Sequence, residues 1–346
     1  MKTRRASAAA ARPSPRAEGD LEFPVFARAP LRIDFAGGFT DVPPFCEEEG
    51  GFVVNAAISA FALAAVMPLP RGAAKRVLGR VAWDGTKLEE DDDGDSRIDA
   101  RDPLAPLRAV LRASGLERVA LRVRTELPAA SGLGSSGAAI VAALAAVGAA
   151  SRHASRRVDL ARRARAIEVD ELGLLGGGQD PIAAALGGVH AISFGPGSRD
   201  GKPKRLRPSR SFRSWLQSSL VIAHVGHRRS SSPRIEAVVA KMRARDRKAL
   251  SCLRAMRSAA HELAVAIEGE DPRTVVSAFE SHNEAMRELD PGIFGNRVAD
   301  AIDAGVDAGA FSGKPSGAGG GGCVVLLARP ERVPRVQAAL RETGCA

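Results

Sequence analysis

A chain of 346 residues exceeds what one hydrophobic core usually serves, so two packed domains and a sizeable buried interior are expected. The composition, 45% apolar and 26% charged, is that of a globular protein, and no apolar run nears the roughly 20 residues that span a bilayer. The net charge of +10 sits mostly in residues 1–20 (+3) and Arg199 to Arg213 (+6), tail- or loop-like segments without the stacking aromatics of a single-strand binder, which sets nucleic-acid partners aside.

Residues 1–20 are basic and rich in Ala, Ser and Pro, and lack the apolar stretch of a secretory signal. They read as a disordered tail, with an organelle transit peptide as the compositional alternative. Phe23 to Phe35 and Phe52 to Met67 have the alternation and β-branched content of strands, and a further strand is expected around Val77 and Leu78. The like-charge run Glu89 to Asp95 is expected to be a solvated loop before a helix over Pro103 to Gly115. Val119 to Thr125 alternates as a strand, Gly137 to Ala150 is an alanine-rich helix, Val158 to Leu172 is a second helix, and Gly187 to Phe194 returns to strand.

From Gly195 to Ser214 the chain turns polar, basic and proline-containing, which marks the expected boundary between domains 21–200 and 201–346. Beyond it follow strand Leu220 to Val225, helices Arg234 to Arg245, Lys248 to Glu268 and Arg273 to Leu289, strand Val324 to Ala328, and helix Pro334 to Glu342. Cys46, Cys252, Cys323 and Cys345 lack both zinc-site spacing and the density of a disulfide scaffold, and point to a reducing cytoplasm. His224, His227 and His261 have no supporting ligand spacing.

The segment LPAASGLGSSGAA, Leu127 to Ala139, places Gly132, Gly134 and Gly137 between a strand and a helix start. Glycines let the backbone approach an anion, and the free N–H groups of the first helical turn point at it. Ser131, Ser135 and Ser136 add hydroxyl donors and a magnesium ligand. No Lys-Ser or Lys-Thr pair follows, so the loop is not a Walker A loop. Its G-x-G-x-x-G spacing fits a dinucleotide fingerprint, but an arginine-rich helix follows where a second parallel strand would be needed. A second glycine cluster, Gly317 to Gly322, precedes its strand, where it permits close approach of a ligand.

Three segments in order, APLRIDFAGGFTDVPPFCEEEGG, LPAASGLGSSGAA and GKPSGAGGGGCVVLL, resemble the signature motifs of the GHMP kinases from about Phe26 to the C-terminus. Within that superfamily the first segment is most similar to bacterial heptose 7-phosphate kinases and the related fucose kinases, with departures at Leu175, Gly178 and Pro181. The resemblance implies an α+β fold: an N-terminal β-α domain carrying the ATP phosphate loop and a C-terminal ferredoxin-like domain. It implies transfer of the ATP γ-phosphate to an anomeric hydroxyl, most simply of a heptose 7-phosphate, with a fucose- or galactose-type kinase or a catalytically silent sugar sensor as alternatives.

By the same resemblance Ser131, Gly132, Gly134, Ser135 and Ser136 cradle the phosphates, and Ser136 and Glu168 hold Mg2+, with Asp170 and Glu171 as rivals to Glu168. Asp180 is the catalytic base and Arg32 the cation beside it. Gly38, Asp41, Gly317 and Gly319 bind the sugar. Arg229, in a stretch resembling T-G-x-x-R-x-x-S, either faces a sugar phosphate or is a surface arginine. The implied partners are ATP and a sugar or sugar phosphate, with no membrane, and no sequence feature speaks to oligomeric state.

Overall fold

The computed structural model describes residues 24–70, 72, 76–81, 85–92, 98–99, 102–128, 130–197, 200–226 and 232–346. The basic tail and Arg229 therefore lie outside the described residues, as does His227. The strands are β1 (Val25–Ala36), β2 (Gly51–Pro68), β3 (Arg76–Val81), β4 (Lys87–Asp92), β5 (Val119–Thr125), β6 (Val189–Phe194), β7 (Lys202–Leu206), β8 (Leu220–His224), β9 (Ala310–Pro315) and β10 (Cys323–Ala328). The helices are α1 (Phe45–Glu48), α2 (Ala105–Ser114), α3 (Ser135–Ala150), α4 (Arg157–Arg165), α5 (Gln179–Leu186), α6 (Arg210–Ser219), α7 (Ser232–Arg243), α8 (Arg247–Glu268), α9 (Pro272–Leu289), α10 (Asn296–Asp307) and α11 (Val333–Glu342).

Two sheets organise the chain. The first has the order β4-β3-β5-β2-β6-β7 with β1 paired to β2, and the second, among the described residues, has the order β8-β10-β9. All pairings of the first sheet are antiparallel except β3 with β5. The two long strands β1 and β2 form the spine of the first sheet and are covered by α3. Alanines line much of α3, so it can approach the sheet closely, and Ala138, Ala142, Ala143, Ala146 and Ala150 are fully buried. A second core lies between β8, β10 and the helices α7, α10 and α11, and it also takes in Phe39, Val42 and Phe45 from the first motif. Helix α8 belongs to both: Cys252, Leu253 and Met256 enter the second core, whereas Ala260, Leu263 and Ile267 enter the first.

Two expectations about polar runs are corrected. Glu89 to Asp92 of the acidic run belong to the edge strand β4 rather than a loop, and the rest of the run, to Asp95, lies outside the described residues. The repulsion is offset across the strands: Glu89 takes a two-point hydrogen bond from Arg122 at 2.7 and 3.1 Å, and buried Asp92 pairs with Arg108. The basic stretch after Gly195 likewise folds, as β7 and the start of α6. There Lys204 meets Glu268 at 2.8 Å, and Ser209 caps α6 by accepting from the Phe212 N–H. Because β7 pairs with β6, the first sheet extends past position 200. Strand β9 and helices α5 and α10 were not anticipated; β9 and α5 are short, whereas α10 is a 12-residue helix with an apolar face of Val298, Ala301 and Ile302 that was missed.

Candidate active site

The three motifs converge. The phosphate loop and the glycine strap 317–322 are joined by main-chain hydrogen bonds, the Cys323 N–H donating to the Ser131 carbonyl at 2.8 Å. Ser316 Oγ donates to the Gly132 carbonyl at 2.9 Å. Gly132 adopts φ +76°, and a Cβ there would lie 2.0 Å from the Ser316 carbonyl oxygen, so the apposition requires glycine. Arg32, on β1, donates its backbone N–H to the Leu133 carbonyl at 3.0 Å and its Nη1 to the Gly132 carbonyl at 2.5 Å. One residue thus ties the first motif to the second.

A cavity of about 390 Å³ opens where these segments meet. It is lined by Arg32, Asp41, Gly132, Ser136, Glu168 and Asp180, and also by Gly38, Gly134, Ser135 and Gly317. That volume suits a small-molecule site. Asp180 lies in the first turn of α5 and takes Arg32 Nε at 2.7 Å and Nη2 at 2.6 Å on its Oδ1. Its side chain keeps 30% exposure, enough to reach a ligand, while Arg32 is 5% exposed. Such a carboxylate can accept a proton from a hydroxyl, and the guanidinium can stabilise charge on a transferring group.

In the same cavity lining Ser136 Oγ donates to Glu168 Oε1 at 2.6 Å. Glu168 is aimed there by local chain geometry: α4 does not run on as a regular helix to Leu172 but passes into a π-helical turn, Ala166–Glu171. Such wide turns redirect a side chain that a regular helix would point elsewhere. Its rivals Asp170 and Glu171 lie outside the cavity lining, and Glu171 pairs with Arg163. Burial pushes the Glu168 carboxyl up to about 7, Ser136 opposing the rise and Asp180 adding to it. A hydroxyl and a carboxylate side by side are hard oxygen donors suited to Mg2+, which waters and phosphate oxygens would complete. Among the described residues no group of three or more His, Cys, Asp or Glu side chains is placed to hold a metal alone.

Asp41 accepts the Gln179 N–H at 3.1 Å, so the first motif also grips the start of α5. Burial, together with Asp180, pushes its carboxyl up to about 7. Two expected residues stand elsewhere. Ser131 is fully buried with its hydroxyl outside the cavity lining, and Gly319 packs where a Cβ would fall 2.4 Å from the Ile293 carbonyl oxygen.

Asp34 and Lys314 were missed. Lys314 on β9 is wholly buried and reaches Asp34 on β1, at 3.2 Å to Oδ2 and 2.9 Å to its carbonyl. Burial acts to raise the Asp34 carboxyl, but Lys314 and the neighbouring His282 and Arg32 outweigh it and hold it below the usual range. Asp34 lines the cavity, and its Oδ1 has no hydrogen-bond partner. The available signal was Asp34 beside the apolar Ile33 and Phe35 in β1, and Lys314 just before the apolar strand β10. Phe39 was missed too: it holds φ 68°, a strained conformation for a bulky residue, with its ring in the second core.

Similarity to known proteins follows the same lines. Residues 104–188 match the family model of the GHMP kinases N terminal domain and residues 247–344 that of the GHMP kinases C terminal. A D-glycero-alpha-D-manno-heptose 7-phosphate kinase of Campylobacter jejuni is 24% identical over 327 residues, covering 91% of this chain and 92% of its own. A bifunctional fucokinase/GDP-fucose pyrophosphorylase of Arabidopsis thaliana is 25% identical over 323 residues, 87% of this chain but 29% of its own. The crystal structure of a D-glycero-D-manno-heptose 1-phosphate kinase from Bacteroides thetaiotaomicron superposes with a TM-score of 0.70 at 25% identity, covering 92% of each chain.

Proposed function

Because the chain belongs to the GHMP kinase family, with an α+β two-domain fold and a phosphotransferase activity toward a sugar hydroxyl, we propose that it transfers the ATP γ-phosphate to the anomeric hydroxyl of a heptose 7-phosphate. The observation that carries this reading is that the paired Asp180 and Arg32 line the same cavity as the paired Ser136 and Glu168. The acceptor assignment rests on the heptose phosphate kinases among the relatives. Fucose is the second acceptor to test, since the fucokinase is related along most of this chain.

The chemistry follows from the groups present. Asp180 takes the proton of the acceptor hydroxyl, whose oxygen attacks the γ-phosphorus while the bond to the β-phosphate oxygen breaks and ADP leaves. Arg32 stabilises the charge shared by the transferring group. Backbone N–H groups at the start of α3 and the hydroxyls of Ser135 and Ser136 orient the phosphates. Mg2+, bound by Ser136 and Glu168, would neutralise phosphate charge. Asp41, packed against Gly177, accepts hydrogen bonds from sugar hydroxyls. Against a silent sugar sensor stand the Arg32–Asp180 pair and the Ser136–Glu168 hydrogen bond, which line one cavity. No helix among the described residues is long and apolar enough to cross a membrane, and four free thiols fit a reducing cytoplasm.

Coupled ADP release across heptose 7-phosphate, fucose, galactose and mevalonate tests the assignment. Heptose 7-phosphate should give the highest kcat/KM, and Asp180→Asn should keep ATP binding while losing roughly 100-fold or more of kcat. Sugar binding without turnover on any acceptor would sink the kinase reading, and an unchanged kcat in the variant would move the base elsewhere.

A further inference from the structure

Arg80 lines the active cavity without a hydrogen-bond or ion-pair partner among the described residues. Strand alternation puts it there: β3 runs parallel to β5 with Leu78 opposite Leu121 and Arg80 opposite Val123, so these four side chains share a face. Leu78, Leu121 and Val123 are buried in the core. Arg80, one step nearer the strand end, emerges half-buried into the cavity that Ala130, Ser135, Ser136 and Glu168 also line. The strand beside it, β5, ends at Thr125 and feeds the phosphate loop, so Arg80 sits at the loop's own end of the sheet.

The charges around the cavity give this residue its meaning. Its walls carry four carboxylates, Asp34, Asp41, Glu168 and Asp180, against two cations, Arg32 and Arg80. Arg32 is committed to Asp180 and the Gly132 carbonyl, and Lys314 behind the wall is committed to Asp34. The phosphate loop has no lysine of its own. A polyanionic nucleotide therefore meets one uncommitted side-chain cation among the described residues. An arginine half-withdrawn from water with no counter-charge costs the empty protein free energy, and burial alone pushes its guanidinium below the ordinary value.

We propose that Arg80 is a nucleotide-binding residue that contacts the polyphosphate of ATP at the start of α3. The proposal rests on the kinase reading above. Its ligand chemistry, a phosphoryl oxygen, is shared by the nucleotide and by a phosphorylated sugar, and the position beside the phosphate loop favours the nucleotide. A guanidinium suits this role because its planar fork can meet two phosphoryl oxygens at once.

The test is direct titration of the full-length protein and its Arg80→Met and Arg80→Lys variants with ATP plus Mg2+, ADP and adenosine, alongside KM for ATP, heptose 7-phosphate and unphosphorylated heptose. Arg80→Met should weaken ATP about tenfold or more, leave adenosine unchanged, and melt no lower than wild type without ligand. Arg80→Lys should recover part of the loss. Unchanged ATP affinity in Arg80→Met would overturn the proposal. So would a loss confined to KM for the phosphorylated acceptor, which would assign Arg80 to the sugar phosphate instead. Titration needs no turnover, so the Arg80 result stands apart from the acceptor panel: tight ATP binding without phosphorylation of any sugar would refute the kinase reading alone.

Discussion

Asp41 and Glu168 carry the same physical burden, a carboxyl taken out of water and pushed up to about 7, Asp41 mainly by burial and the nearby Asp180, Glu168 mainly by burial. In the folded protein each holds its proton to a higher pH than in the unfolded chain, so their contribution is fully present below the unfolded value of about 4 and is lost as pH rises through about 7. The ligand-free protein should therefore lose several degrees of Tm from these groups over that window, and Asp41→Asn combined with Glu168→Gln should flatten the fall. Identical pH profiles for wild type and the double variant in thermal melts would show that neither group titrates as described. Under the proposed function both carboxylates would have work once ligands arrive, Glu168 toward a cation and Asp41 toward sugar hydroxyls.

At the scale of elements, the phosphate loop is shaped as much by what presses on it as by its own glycines. Gly132 and Gly134 both have positive φ, but a Cβ on Gly132 would meet the Ser316 backbone at 2.0 Å, whereas one on Gly134 would meet the flexible Arg32 side chain at 3.1 Å. Gly132→Ala should accordingly force the glycine strap off the loop, lowering Tm and nearly abolishing turnover. Gly134→Ala should cost about 1–2 kcal/mol from backbone conformation alone. Equal losses in the two variants, measured by denaturant unfolding, would mean that the strap contact contributes nothing. The π-helical turn that aims Glu168 is a second case in which an element's irregularity makes the site.

At the scale of the molecule, the two sheets are locked together by helix α8, by the Phe39, Val42 and Phe45 cluster, and by the buried pair of Lys314 on β9 with Asp34 on β1. Lys314→Met would leave the Asp34 carboxylate buried without its counter-charge, a loss of about 3–5 kcal/mol, and adding Asp34→Asn should restore most of it. A change below about 1 kcal/mol in the single variant, read from chemical denaturation, would remove the pair from the list of locks. Much of this was legible in the sequence. Glycine spacing between a strand and a helix disclosed a tight loop that lines the cavity, alternation and alanine content disclosed the spine strands and α3, and the resemblance of three short segments singled out Asp180, Arg32, Ser136 and Glu168, which the fold gathers around one cavity. Those signals are local, because turn chemistry and periodicity are properties of neighbouring residues. What only the tertiary structure decided depends on partners distant in the chain. Glu89 to Asp92 of the acidic run joined strand β4, where Arg122 and Arg108 lie beside them, Lys314 found Asp34 across 280 positions, and Arg80 was left facing the cavity with no partner among the described residues. A charge reads as surface until its counter-charge, or the lack of one, is placed in space.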